Sequence, residues 1–234
     1  MPIRSAEYYK LAGEQESTAN VTYRYKRVQP YIMGNTVLDV GCGMGGFLSL
    51  VAREYEVLGI EVNAEKDAQT NKDLNSGVTI LSDIESGLPL RDESVDTVTC
   101  LEVLEHLHDP RGALEELARV ARRRVIVTVP FEETIKTELC IHCGRRTPYW
   151  GHLHTFTEQD ITKLAPRVTK ISLIDVIYTQ MTVPTKLYSV KLPAKLCRLP
   201  LFHFRLPIFL GFGLKEQTPL WYLVVLDKLG DSGK

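Results

Sequence analysis

The 234 residues carry 28 Lys and Arg against 29 Asp and Glu, a formal net charge of -1, with 44% hydrophobic and 24% charged residues. That balance belongs to a chain that buries a core and excludes disorder, collagen and coiled coil; with no net positive charge, a polyanionic partner would need a local basic patch. The length suits one α/β domain with an elaboration better than two independent cores.

No window approaches the roughly 20 apolar residues of a membrane span, and the opening stretch MPIRSAEYYK has no secretory apolar core, so the expected location is the cytoplasm. The five cysteines are odd in number, and Cys42 and Cys100 fall at strand ends, which argues against a disulfide framework. Short β-branched runs alternate with amphipathic stretches, the pattern of βαβ units and a parallel sheet. Strands are expected at 36–40, 57–60, 78–81, 95–101, 125–129, 169–178 and 221–226, and helices at 46–54, 64–74, 112–121 and 158–164. Thr157 followed by Glu158 and Asp160 predicts an N-cap with an acidic first turn. Tyr8, Tyr9, Tyr23 and Tyr25 either cap a pocket from an N-terminal helix or pack that helix on the sheet.

The first strand runs into Gly41-Cys42-Gly43-Met44-Gly45-Gly46, in which Gly41, Gly43 and Gly46 satisfy G-x-G-x-x-G, and Glu61 follows Gly41 by 20 residues at the end of the second strand. Backbone can approach a nucleotide closely at such a turn, and a carboxylate at the second strand end can accept from both ribose hydroxyls. Asp39 discriminates between ligands. A carboxylate two residues before the first glycine repels a pyrophosphate and suits a cation; S-adenosylmethionine offers an ammonium and a sulfonium and no phosphate.

With those residues in view, LDVGCGMGGF resembles the first motif of the class I S-adenosylmethionine-dependent methyltransferases, and later stretches agree in order. The resemblance covers residues 30–180 and the last strand. It implies a Rossmann-like α/β fold, a seven-stranded, mostly parallel sheet with an antiparallel last strand and helices on both faces. It also implies a cofactor contacted by Asp39, Gly41, Cys42, Gly43, Glu61, Val62 and Leu101, with Asp83 accepting from the adenine amino group and Ile84 packing beside the ring.

Glu102-Val103-Leu104-Glu105-His106, if helical, puts Glu102, Glu105 and His106 on one face. The segment is similar to the E-x-x-E-H of ubiquinone-biosynthesis O-methyltransferases and small-RNA terminal 2'-O-methyltransferases, which implies catalytic roles for these three residues around a divalent metal. The open alternative is a metal-free pocket in which His106 alone takes the proton. On the excursion 131–155, Cys140 and Cys143 form a CxxC, with His152 and His154 nine and eleven residues after the second cysteine, four zinc-compatible ligands for a structural knuckle. GHLHTFT also resembles a stretch of the small-RNA branch, in which His152 would join Glu102, Glu105 and His106 instead.

The segment 181–218, broken by prolines, reads as an insertion before the last strand; it carries several lysines and arginines and four of the seven phenylalanines. It is expected either to dock a membrane face or an RNA acceptor, or to cover the outer strands or a second copy of the chain. The combined expectation is O-methylation of a small-molecule, lipid-linked or glycan acceptor. RNA-end 2'-O-methylation, an NAD-linked oxidoreductase and a noncatalytic cofactor-binding module stay open beside it.

Overall fold

A computed structural model describes residues 18–73, 77–139, 143–178 and 219–229. The expected insertion at 181–218, Cys140, Tyr8 and Tyr9 lie outside these described residues.

At the centre lie β1 (Thr36–Val40) and β4 (Val95–Leu101), paired in parallel, with every residue buried except the partly exposed Thr36. Burial on both faces marks central strands of a covered parallel sheet, and the polar members Asp39, Asp96, Thr97 and Thr99 are buried along with the apolar ones. β1 also pairs in parallel with β2 (Glu56–Glu61), which pairs with β3 (Val78–Leu81), while β4 pairs with β5 (Ala121–Pro130). β9 (Pro219–Lys228) then adds antiparallel to β5, with Arg124 opposite Asp227 and Pro130 opposite Trp221, and β8 (Thr169–Tyr178) takes the outer edge. The order is therefore β3-β2-β1-β4-β5-β9-β8. This is the seven-stranded, Rossmann-like sheet the sequence predicts.

Successive strand residues point to opposite faces, so β1 feeds two separate cores. Leu38 packs in a cluster with Leu114 and Leu117 of α4 (Pro110–Val120), whereas Val37 packs with Phe47 and Val51 of α2 (Gly46–Val51) on the other side. The α4 stripe Ala113, Leu114, Leu117 and Ala118 is set by helical periodicity, and its start by Asp109, whose carboxylate accepts from the Gly112 amide at 3.0 Å. α1 (Thr18–Val28) and α3 (Ala64–Asp73) complete the front half of the chain, and α5 (Glu158–Leu164) opens with the expected Thr157 cap, closed reciprocally by Asp160.

Three local expectations are corrected. The helix expected at 46–54 ends at Val51, with a turn before β2. The excursion after β5 contains a small hairpin, β6 (Thr137–Leu139) against β7 (Arg146–Pro148), too short and too polar to carry a period-two signal. The segment 102–106 is not an α-helix: Glu102 sits in the left-handed region at φ 58, and Leu104–His106 forms one tight 3-10 turn. In an open α/β sheet the ligand crevice lies outside the carboxyl ends of the strands where their order reverses, here between β1 and β4. No helix among the described residues is long and apolar enough to cross a membrane.

Candidate active site

Gly41 ends β1 with φ +76, and a Cβ there would lie 2.4 Å from Cγ2 of Val103, so both the backbone conformation and the close approach of the β4 end demand glycine. The loop is clamped to β2: the amides of Gly41 and Cys42 donate to the Ile60 carbonyl at 2.8 and 3.0 Å. The Gly43 amide donates to one carboxylate oxygen of Glu61 at 2.8 Å, and the Asn63 amide to the other at 2.8 Å. Glu61 is thereby held at the carboxyl end of the sheet with a lone pair on each oxygen still available to a ligand.

Above this edge opens a cavity of about 850 Å³, near the upper end of the range for small-molecule sites. Gly41, Cys42, Gly43, Glu61, Val62, Asp83, Ile84 and Leu101 all line it, spread along the ends of β1 to β4. Asp83 uses one carboxylate oxygen to accept from the Glu85 amide at 3.0 Å, which turns the chain and orients the carboxylate.

Asp39 is placed differently from the expected direct grip on the ligand. It is 3% exposed and is absent from the cavity wall, its Oδ1 accepting from the Thr99 hydroxyl at 2.7 Å. Alternation along β1 explains this, because the last strand residue facing the crevice is set by the glycine turn and not by Asp39. Burial pushes its carboxyl up to about 7, opposed by the Thr99 bond and assisted by the charge of Glu61. Asp39 thus lies outside the cavity lining, its carboxylate held by Thr99.

At the other end of the cavity, Glu105, His106 and His152 bring one ligand atom each within 4.8 Å of one another. Glu105 is fully buried, and among the described residues neither of its carboxylate oxygens has a hydrogen-bond partner in another residue. Burial, then the charge of Glu102, raises its pKa well above the usual carboxylate range. The His106 ring stands edge-on to that of His152 with centroids 4.7 Å apart. Its Nδ1 meets the Gly151 carbonyl at 3.4 Å, and its Nε2 lies 3.9 Å from Glu105. Burial, then His152, pushes His106 down to about 3, so the ring is neutral near pH 7. A neutral imidazole offers a nitrogen lone pair that a metal ion or a substrate proton can take.

Nδ1 of His152 is paired with the Glu133 carboxylate, and the loop carrying His152 is pinned by the amides of Leu153 and His154, which donate to the Glu105 carbonyl at 2.7 and 3.2 Å. His152 therefore belongs to the buried group with Glu105 and His106. Among the described residues, Cys143, exposed, and His154, whose ring lies 6.2 Å from that of Phe156, do not gather with His152 into a ligand cluster. Glu102, left-handed at the end of β4, has its carboxylate 4.0 Å from the Arg24 guanidinium and is not one of the three residues whose ligand atoms gather. Burial also raises the thiols of Cys42 and Cys100, which keeps them protonated and unreactive.

Sequence reading missed four wall residues. Arg24 on α1 is 4% exposed, with its guanidinium carbon 4.9 Å from the Trp221 ring centre. Trp221, Trp150 and Glu133 also line the cavity. Each comes from a different element, so no spacing in the chain links them.

The methyltransferase domain family matches residues 38–129. Over that stretch the chain is similar to a methyltransferase domain. Over 95 residues, 38% of this chain and 40% of the relative, the domain is 41% identical to the ubiquinone biosynthesis O-methyltransferase of Hahella chejuensis. The corresponding enzyme of Pectobacterium atrosepticum is 34% identical over 96 residues, 39% of this chain and 40% of that one. The chain thus spans about two fifths of the length of these curated relatives. Among solved structures, the domain is similar to a SAM-dependent methyltransferase from Archaeoglobus fulgidus, with TM-score 0.58 and 18% identity over 91% of this chain and 95% of that one. It is also similar to a Pyrococcus horikoshii OT3 protein, with TM-score 0.61 and 16% identity over 95% and 99%.

Proposed function

We propose that the protein transfers a methyl group from S-adenosylmethionine to a hydroxyl oxygen of a small-molecule or lipid-linked acceptor. The observation that carries this reading is the continuity of one cavity from the nucleoside-type wall at Glu61 and Asp83 to the buried group Glu105, His106 and His152. The donor supplies an electrophilic methyl on a sulfonium, so catalysis rests on holding the acceptor oxygen in line with it.

In this reading Glu61 accepts from the ribose hydroxyls, Asp83 from the adenine amino group, and Ile84 packs against the ring. Arg24, beside Glu102 at the opposite end, faces the methionine carboxylate, while the charges of Glu102 and Asp39 favour the ammonium. A pyrophosphate fits this edge poorly, because the Gly43 amide is already taken by Glu61 and a carboxylate stands where the phosphates of NAD would sit.

The residues fit a divalent cation. An orphaned buried carboxylate and two imidazoles, each with Nδ1 engaged by an acceptor, form a donor set that lacks only its positive charge. Glu105, His106 and His152 would hold the ion, which would lower the pKa of a coordinated hydroxyl. Likeness to ubiquinone biosynthesis O-methyltransferases supports oxygen as the acceptor atom.

The test is a screen with S-adenosylmethionine labelled on the methyl carbon, run with Mn²⁺ or Zn²⁺ against phenols, catechols, prenylated phenols and sugars. Label appearing on a hydroxyl, with at least a 10-fold loss in Glu61→Ala, is the expected outcome. Transfer to nitrogen alone, or adenosylhomocysteine failing to bind in calorimetry, would overturn the reading.

A further inference from the structure

We infer that Glu133 is a positioning residue for a metal site at Glu105, His106 and His152: it accepts the Nδ1 proton of His152, fixing the tautomer and aiming Nε2 into the cluster. This rests on the reading of that cluster as a cation site.

Glu133 sits just after β5, where Glu132 adopts φ 42 and its carboxylate accepts from the Tyr222 hydroxyl at 3.1 Å. Together with the bond from the Phe131 amide to the Leu220 carbonyl at 2.8 Å, this holds the start of the excursion against β9 and turns the next side chain, Glu133, into the cavity wall. Its carboxylate meets Nδ1 of His152, which leaves Nε2 as the ring nitrogen open to a ligand.

The His106 ring has the parallel arrangement, Nδ1 toward the Gly151 carbonyl and Nε2 toward Glu105. One histidine is thus oriented by a fixed backbone carbonyl and the other by a carboxylate 19 residues away on a different loop. A carboxylate in this role does two things that a carbonyl does not. Its negative charge makes the imidazole a stronger donor to a cation, and its removal leaves the ring free to turn or to exchange tautomers. Both side chains line the cavity, that of His152 13% exposed and that of Glu133 31%.

The experiment uses the full chain with no added nucleotide. Long-range ¹⁵N–¹H correlation of the histidine rings reads the tautomer of His152 in metal-free protein, and calorimetry reads the affinity for Mn²⁺ and for Zn²⁺ alone. Wild type is expected to show His152 protonated on Nδ1 only. Glu133→Ala is expected to mix the two tautomers and weaken metal binding about 10- to 100-fold. Glu133→Gln, whose amide oxygen still accepts from Nδ1, is expected to keep the tautomer and recover most of the affinity.

A His152 ring protonated on Nε2 or on both nitrogens in wild type overturns the inference, as does an unchanged tautomer in Glu133→Ala. Equal loss of affinity in both variants also overturns it, by making Glu133 a ligand in its own right. If wild type binds neither metal, the cation site fails while the tautomer still decides what Glu133 does.

Discussion

The rings of His106 and His152 meet edge to face, 4.7 Å between centroids, although 46 residues separate them along the chain. Beside them lies a carboxylate, Glu105, that is 0% exposed and finds no hydrogen-bond partner in another residue among those described. Such a carboxylate is costly to keep ionised unless a cation neutralises it.

Metal should therefore stabilise the fold. Excess Mn²⁺ or Zn²⁺ at about 100 times its dissociation constant adds about 2.7 kcal/mol. Differential scanning calorimetry should show the melting temperature of wild type rising with metal, while Glu105→Gln melts no lower than wild type without metal and does not respond to it. An equal response in wild type and variant would remove Glu105 from the site.

Asp39 predicts a pH dependence of the opposite sign to most carboxylates. Its pKa is about 7 in the folded chain against 3.8 for the ordinary group, so between those values the native state keeps a proton that the unfolded state has released. Stability from this group is thus highest below about pH 4, falls as the pH rises toward 7, and is level above. Asp39→Asn, which still accepts from Thr99, should flatten that part of the melting-temperature profile. In wild type, affinity for adenosylhomocysteine, which keeps the ammonium, should improve as the pH rises through 7. Parallel profiles for the two proteins would show that Asp39 is ionised throughout.

Asp96 behaves in the usual sense. Its carboxylate accepts from the Asn35 amide at 2.9 Å, pairs with Arg122 at 2.7 Å, and accepts from the Thr36 amide and hydroxyl, which together hold its pKa down to about 2. This tie between the start of β1 and β4 is fully present above pH 4 and is lost as the pH falls through 2. Asp96→Ala should cost about 2 kcal/mol in urea denaturation at pH 7, since it removes the acceptor shared by Asn35, Thr36 and Arg122, and less at pH 3. A cost that does not shrink on acidification would assign the effect to packing.

Most of the fold was legible in the chain because it rests on local signals. Short β-branched runs such as Thr36–Val40 and Val95–Leu101 mark strands, and the 20-residue spacing from Gly41 to Glu61 is one β-α-β repeat. Boundaries suffered where no periodicity exists, as at the end of α2 and in the β6–β7 hairpin.

The site divides in the same way. The nucleoside wall follows a linear order of strand ends, so the sequence by itself determined Gly41, Gly43, Glu61, Asp83 and Ile84 as neighbours of one cavity. What only the tertiary structure decided is the other end: that Glu102 lies at ion-pair distance from Arg24 and not on a shared helical face with Glu105, that His152 gathers with Glu105 and His106, and that Glu133 reaches it. Those choices depend on one left-handed residue at the end of β4 and on where two loops close over the sheet, and neither loop closure nor a single positive φ leaves a periodic trace in the amino-acid order.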